Sequence, residues 1–89
     1  MRWQIDWTPQ AEAHIALHGV GPSEVEEALS GGIAQQRERF GRLRVLGRST
    51  AGRYLAVIVV PVGLGQIRVL TARDMDGSER RLYRRRRQP

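Results

Sequence analysis

The sequence predicts an α+β fold in which helices pack on one twisted antiparallel sheet. Apolar residues recur with helical spacing early in the chain and with the two-residue spacing of strands from residue 33 onward, and short glycine-bearing links join the later segments. The predicted order is strand, helix, helix, four strands, helix. We expect one domain over residues 1–83 and a frayed basic tail over residues 84–89.

The first strand is predicted at residues 2–7, where alternate side chains are apolar, and its inward-facing residues are Trp3, Ile5 and Trp7. The first helix begins at Thr8-Pro9, because threonine can cap free amides and proline fits the first helical position. Its apolar stripe is Ala11, Ile15 and Leu17, and the stripe ends at Gly19. In the second helix Ser23 and Glu26 form a capping pair. The inward residues are Val25, Ala28 and Leu29, and Gly31-Gly32 ends the helix.

Four strands are predicted next, at residues 33–39, 42–49, 53–60 and 66–73, joined by hairpins. Residues 55–60 are apolar on both faces, which indicates a central strand covered on both sides, and Pro61 is expected to end it. The last helix begins at a capping pair formed by Asp76 and Glu79. Its apolar contacts are Leu82 and Tyr83.

Charge is distributed unevenly along the chain, in which all 15 basic residues are arginine. Residues 1–36 carry a net charge of −4 and residues 37–89 carry +10. The basic half suits a polyanion such as RNA. With no cysteine and only His14 and His18 as histidines, we expect neither a metal site nor a cofactor. No apolar run approaches membrane-spanning length, so a cytoplasmic protein is expected.

Several short motifs occur in a recognisable order: a tryptophan-bearing strand, His18-Gly19-Val20 before a glutamate-rich helix, Leu46-Gly47-Arg48-Ser49, Gly52-Arg53, and Thr71-Ala72-Arg73 leading to Glu79-Arg80-Arg81-Leu82-Tyr83. Together they resemble the BrnT family of toxins from bacterial type II toxin–antitoxin systems, which have a RelE-like ribonuclease fold. The resemblance implies an endoribonuclease toxin that cleaves mRNA and inhibits translation. It also implies a cognate DNA-binding antitoxin that covers the arginine face, in a 2:2 complex.

Metal-free RNA cleavage needs a proton acceptor, a proton donor and cations around the phosphate. Arginine supplies only the cations, so proton transfer falls to another group. The candidates are His18, His14, Glu24, Glu26, Glu27, Glu79 and Tyr83, or the RNA and water. His18 is preferred, because it ends the first helix where the family has a lysine–histidine–glycine turn; Leu17 replaces that lysine. Capping of the helix end is the alternative role for His18.

Three arginines are the candidate phosphate ligands. Arg48 and Arg53 flank one turn and leave the same end of the sheet, although both can also be solvated hairpin residues. Strand parity puts Arg73 on the face of Ile67, Val69 and Thr71, with its head fixed; its alternative is a salt bridge to Glu79 or Asp76. We expect these three arginines to converge in one pocket.

The remaining site candidates carry structural alternatives. Glu24 can accept a proton, or it can lie on the solvent-exposed face of the second helix with Glu26 and Glu27. Tyr83 can stack on a base or belong to the core. The arginines expected to bind RNA are Arg42, Arg44, Arg68 and Arg80. Two other functions stay open: a catalytically inactive nucleic-acid-binding or regulatory module that has lost the lysine, and a domain that only docks a protein.

Overall fold

The fold is seen in a computed structural model that describes residues 3–32 and 34–87. Its helices and strands are, in chain order, β1 (Gln4–Asp6), α1 (Pro9–Leu17), α2 (Pro22–Ser30), β2 (Ala34–Arg37), β3 (Leu43–Arg48), β4 (Tyr54–Gly63), β5 (Gln66–Asp74) and α3 (Gly77–Arg87), with a 3₁₀ turn at Arg39–Gly41 between β2 and β3. The predicted order of elements is confirmed. Ile33, the first residue of the predicted second strand, lies outside the described residues.

The five strands form one sheet in the order β1-β5-β4-β3-β2. The three hairpin-linked pairs are antiparallel as predicted, but β1 pairs with β5 in parallel, so the sheet is mixed. Short turns dictate the direction of the last four strands. They do not constrain β1, because two helices separate it from the rest of the sheet.

The central strand β4 is covered on both faces, as its sequence predicts. Leu55, Val57 and Val59 belong to the larger core beneath α1 and α2, whereas Ala56 belongs to a smaller core with Tyr83 of α3. The packing of α2 is especially close at Gly47, where a Cβ atom would lie 2.0 Å from the carbonyl oxygen of Ala28. Glycine at this position therefore lets the helix backbone rest directly on β3.

The caps of α1 and α3 are confirmed. The Ala11 amide donates to Thr8 Oγ1 at 3.1 Å, and the amides of Glu79 and Asp76 each donate to the other residue's carboxylate at 2.8 and 2.9 Å. The prediction for α2 is wrong: this helix begins at Pro22, and Glu24 accepts from the Gly21 amide at 3.0 Å. Proline at the first helical position moves the start two residues earlier than the Ser23–Glu26 pair implies.

Three further details differ from the sequence prediction. Leu17 is 81% exposed and does not extend the apolar stripe of α1. Pro61 lies inside β4. Because β3 begins opposite Val59, the later residues of β4 pair with β5 only. Proline is tolerated where a strand has a neighbour on one side only. The structure also continues α3 through Arg87, so residues 84–87 are helical.

A register shift between β4 and β5 changes the face of the sheet on which the last side chains of β5 lie. The pairing moves from Ile58–Thr71 to Val59–Val69, which leaves Leu70 as an extra residue. Ile67 and Val69 consequently belong to the larger core, while Arg73 lies opposite Ala56 on the α3 face. The predicted common face of Arg73, Ile67 and Val69 is therefore wrong, because simple alternation cannot reveal a bulge.

Candidate active site

Candidate residues gather at one end of the sheet, which we call the basic end: the region where β3 finishes at Arg48, β4 begins at Tyr54 and β5 finishes at Asp74. The turn between β3 and β4 is tightly bonded. The Ser49 hydroxyl accepts from the Arg53 amide at 3.0 Å, and the Ser49 amide donates to the Arg53 carbonyl at 2.9 Å. This turn gives the side chains of Arg48 and Arg53 fixed starting points on the sheet.

The Arg53 guanidinium holds the turn between α1 and α2 against the sheet. It forms a two-pronged ion pair with Asp74, at 2.7 Å from Nε to Oδ1 and 3.2 Å from Nη2 to Oδ2. It also donates to the carbonyls of Gly19 and His18 at 2.8 and 3.2 Å, and Nη1 lies 3.3 Å from Glu24 Oε1. Because its donors are already engaged, Arg53 is better suited to positioning the His18 backbone than to gripping a phosphate.

The charges of this network reinforce one another. The hydrogen bond to Asp74 raises the pKa of Arg53, and the reciprocal bond lowers the pKa of the Asp74 carboxyl. Both groups therefore stay ionised, and the ion pair is maintained across the physiological pH range.

Arg73 is held by a carboxylate at the start of α3. Its guanidinium donates to Glu79 at 2.6 and 2.9 Å, and Arg44 donates to Glu79 Oε2 at 2.9 Å. Burial raises the pKa of Glu79, which is only 3% exposed, but the bonds from Arg73 and from the Asp76 amide outweigh it, so the pKa lies below its ordinary value. The salt-bridge alternative for Arg73 is thus observed, and its head anchors α3.

Tyr54 is surrounded by three guanidinium groups. Arg48, Arg80 and Arg84 lie 5.1, 5.5 and 6.0 Å from the centre of its ring, and Tyr83 packs edge-on against the same ring at 5.8 Å. Among residues 3–32 and 34–87, none of these three arginines forms an ion pair with a carboxylate. Three guanidinium groups around one aromatic ring, with no carboxylate at ion-pair distance in the described residues, form a site suited to an anion.

The three candidate phosphate ligands lie on different faces of the sheet. Arg48 is paired with Tyr54 and Arg73 with Ala56 on the α3 face, whereas Arg53 reaches the α1–α2 turn on the other face. All three lie at the basic end. The predicted single pocket is not formed, because Arg53 has the opposite strand parity.

The candidate proton-transfer groups have different surroundings. The His18 side chain is exposed, and His18 occupies the C-cap position of α1, where its backbone amide donates to the Ile15 carbonyl at 3.0 Å. Glu24 caps α2 and faces Arg53. Tyr83 is 3% exposed within the smaller core, which is the structural alternative given for it. His14 contacts the Leu70 carbonyl, with its Nδ1 at 3.4 Å from the oxygen, away from the basic end.

The four arginines predicted to bind RNA lie on separate parts of the surface. Arg80 lies beside Tyr54, whereas Arg44 is bound to Glu79 and also contacts Glu38 and Gln36. Arg68 pairs with Asp6 at 2.7 Å, and Arg42 is exposed after the 3₁₀ turn. Arg80 is therefore the member of this set that belongs to the basic end.

Comparison with known proteins identifies the fold. The chain matches no protein-family model and no curated protein. It is similar to the 1.1 Å crystal structure of the Brucella abortus ribonuclease toxin BrnT, with a TM-score of 0.66 and 27% sequence identity. The match covers 83% of this chain and 97% of that one. The chain has a BrnT-like fold. The resemblance inferred from the sequence motifs is confirmed.

Within this BrnT-like fold, sequence reasoning missed two residues of the basic end, Tyr54 and Arg84. Tyr54 begins the central strand and has no distinctive motif around it, and Arg84 belongs to the arginine run for which the sequence predicts fraying. The helical spacing of Arg80 and Arg84, four residues apart, was the available signal.

In the described part of the chain, no helix is long and apolar enough to cross a membrane, and no cluster of metal-ligating side chains occurs.

Proposed function

We propose that the chain is the toxin of a type II toxin–antitoxin system and a metal-independent endoribonuclease that cleaves mRNA in the cytoplasm and inhibits translation. The observation that carries this proposal is the likeness to a ribonuclease toxin at a TM-score of 0.66 over nearly the whole of that protein. The cation cluster around Tyr54 adds independent support, because it lies at the basic end without a carboxylate partner in the described residues.

In the proposed mechanism the 2′-hydroxyl of the RNA attacks the adjacent phosphorus and the 5′-oxygen leaves. Arg48, Arg80 and Arg84 neutralise the phosphate as negative charge builds on its oxygens. The exposed His18 ring lies close enough to Asp74 to act on its charge, as Arg80 does, so both groups approach the same edge of the basic end. His18 accepts the proton of the 2′-hydroxyl, and water supplies a proton to the leaving 5′-oxygen. Arg53 acts as a positioning residue through its bond to the His18 carbonyl. Arg73 and Glu79 fix the start of α3, from which Arg80 and Arg84 project.

The test is induction of the chain in bacteria, with mapping of RNA ends and growth curves. We expect growth arrest and new RNA ends with the natural sequence, and loss of both with His18→Ala and with Arg48→Ala. Arg81→Ala is the matched control, since Arg81 lies on α3 and makes no cation–π contact with Tyr54. Normal growth and intact transcripts on induction of the natural sequence would overturn the proposal.

We further propose a DNA-binding antitoxin that covers the basic end and brings two toxins into a 2:2 complex. The positive charge of residues 37–89 favours an acidic antitoxin segment as the inhibitor. Co-expression with the cognate antitoxin should restore growth and give a complex whose mass fits two copies of each chain. A complex of different stoichiometry would contradict only this part of the proposal.

One observation favours a second candidate function, a nucleic-acid-binding module without cleavage. Leu17 is 81% exposed next to His18, at the position where the related toxins are expected to carry a lysine. An apolar residue there removes a cation next to the proposed proton-transfer residue. RNA binding without cut products would favour this module over the nuclease.

A further inference from the structure

The 3₁₀ turn between β2 and β3 presents an aromatic side chain in an unusual way. Phe40 is 86% exposed, and its backbone has φ 62° and ψ 36°, in the left-handed region that favours glycine or asparagine. A bulky residue in this conformation costs stability. Because its ring is not buried, Phe40 does not recover that cost through packing.

The surroundings of Phe40 are strongly basic. Arg37, Arg39 and Arg42 are exposed around it, and with Glu38 they line a shallow cavity against the ring. The carboxylate of Glu38 lies 3.5 Å from Nε of Arg44, so the acid closest in sequence is turned toward another partner. Within residues 3–32 and 34–87, Arg37, Arg39 and Arg42 form no ion pair.

An exposed ring among guanidinium groups that form no ion pair with the described residues has the chemistry of a platform for single-stranded nucleic acid. Bases stack on aromatic faces, and the neighbouring cations neutralise the phosphates. A protein partner is less favoured by these observations, because a docking surface of that kind keeps charged residues at its rim and places several apolar residues at its centre. Phe40 is surrounded mainly by arginine.

We propose that the Phe40 turn, residues 37–42, is a second RNA-binding site in which Phe40 stacks on an unpaired base and Arg37, Arg39 and Arg42 bind the flanking phosphates. The inference rests on the proposed function, because it assumes an RNA substrate. The turn is separated from the basic end by the length of β3, about 17 Å for its six residues. It therefore binds a different nucleotide from the one at the basic end.

The experiment measures binding of a fluorescent single-stranded RNA of about 12 nucleotides, a length within the range of single-strand binding sites. The RNA carries 2′-O-methyl groups, so the protein cannot cleave it through the 2′-oxygen. Phe40→Ala should weaken binding about 5- to 150-fold, the range reported for loss of one base–aromatic stack. Phe40→Trp should retain the affinity, and Leu64→Ala, which removes an exposed apolar side chain elsewhere, should not alter it.

Two further measurements separate stacking from charge and from folding. Phe40→Ala should leave the salt dependence of RNA binding unchanged, whereas Arg39→Ala should lower its slope by about 0.7, the value for one phosphate of a single strand. Phe40→Asn should bind RNA weakly and yet unfold at the same or a higher temperature than the natural chain, because asparagine tolerates a positive φ.

The outcomes distinguish this inference from the proposed function. If the natural chain binds the methylated RNA and cleaves the same RNA without the methyl groups, and Phe40→Ala does both equally well, the second site is wrong and the nuclease proposal stands. If Phe40→Ala binds RNA normally and instead fails to bind the antitoxin, the turn is a protein-docking site. If the natural chain does not bind RNA, both proposals are overturned.

Discussion

Arg53 and Asp74 form a two-pronged ion pair that joins the start of β4 to the end of β5, with Nε–Oδ1 and Nη2–Oδ2 distances of 2.7 and 3.2 Å. The same guanidinium reaches the carbonyls of His18 and Gly19 on the α1–α2 turn. A single side chain thus links two strands to the backbone of the residue proposed to transfer protons. This relationship gives Arg53 a positioning role.

Replacing Arg53 with lysine should separate stability from activity. An ammonium group can bind Asp74 but cannot also reach both carbonyls, so His18 should shift. We expect the free energy of unfolding to fall by about 1 kcal/mol or less, since the pair is partly exposed. RNA cleavage should fall about 10- to 100-fold, mainly in kcat. Urea unfolding and single-turnover cleavage measure the two effects, and unchanged cleavage would refute the positioning role.

Glu79 makes the stability of the fold depend on pH. Its pKa in the folded state lies below the ordinary value of 4.5, so its carboxylate stabilises the fold fully at pH values above that value. The contribution is lost as pH falls through the lowered pKa. The midpoint of thermal unfolding should therefore decrease below about pH 4.5, and the lowered pKa of Asp74 and Asp76 should add to the decrease.

The substitution Glu79→Gln should destabilise the fold at neutral pH by about 2–4 kcal/mol, because Arg73 and Arg44 lose their shared carboxylate. Its thermal midpoint should also depend less on pH between about 3 and 5 than that of the natural chain. Glu12→Gln serves as the control, because Glu12 is exposed in the first turn of α1. Equal pH dependence in Glu79→Gln and the natural chain would contradict this assignment.

Gly47 should not tolerate a side chain. A Cβ atom would lie 2.0 Å from the Ala28 carbonyl oxygen, so Gly47→Ala must displace α2 from β3 and should cost about 1–3 kcal/mol of unfolding free energy. Gly31→Ala is the matched control, because the nearest atom there is 4.0 Å away. Denaturant unfolding of the two variants checks the prediction, and equal stability would show that α2 is not packed this closely.

Leu17→Lys should increase RNA cleavage. The position is exposed beside His18, so a lysine there adds a cation next to the proposed proton-transfer residue without disturbing the core. We expect an increase of about 10-fold in kcat/KM at low salt, a modest share of what one well-placed charge can contribute. Leu64→Lys adds the same charge at a remote exposed position and should have little effect. Identical gains from both variants would indicate nonspecific attraction of RNA.

Local sequence patterns predicted the elements of this fold well where the cause of each element is local. Thr8, Asp76 and Glu79 cap helices within a few residues of themselves, and residues 55–60 form the central strand that their unbroken apolar character requires. The parallel pairing of β1 with β5 was missed, because it joins residues more than 60 positions apart. No turn residue in the sequence indicates such a pairing.

The basic end also shows which features depend on neighbouring residues and which depend on the packed fold. The sequence determined the elements, the BrnT resemblance and the arginines available for the site, since helix caps, strand alternation and charge are properties of neighbouring residues. Only the tertiary structure decided that Arg53 binds Asp74, that Arg73 binds Glu79 and that three other arginines lie around the Tyr54 ring. The physical reason is that a guanidinium binds whatever acceptor or ring the packed fold brings within reach, and strand register and the bulge in β5 set that geometry.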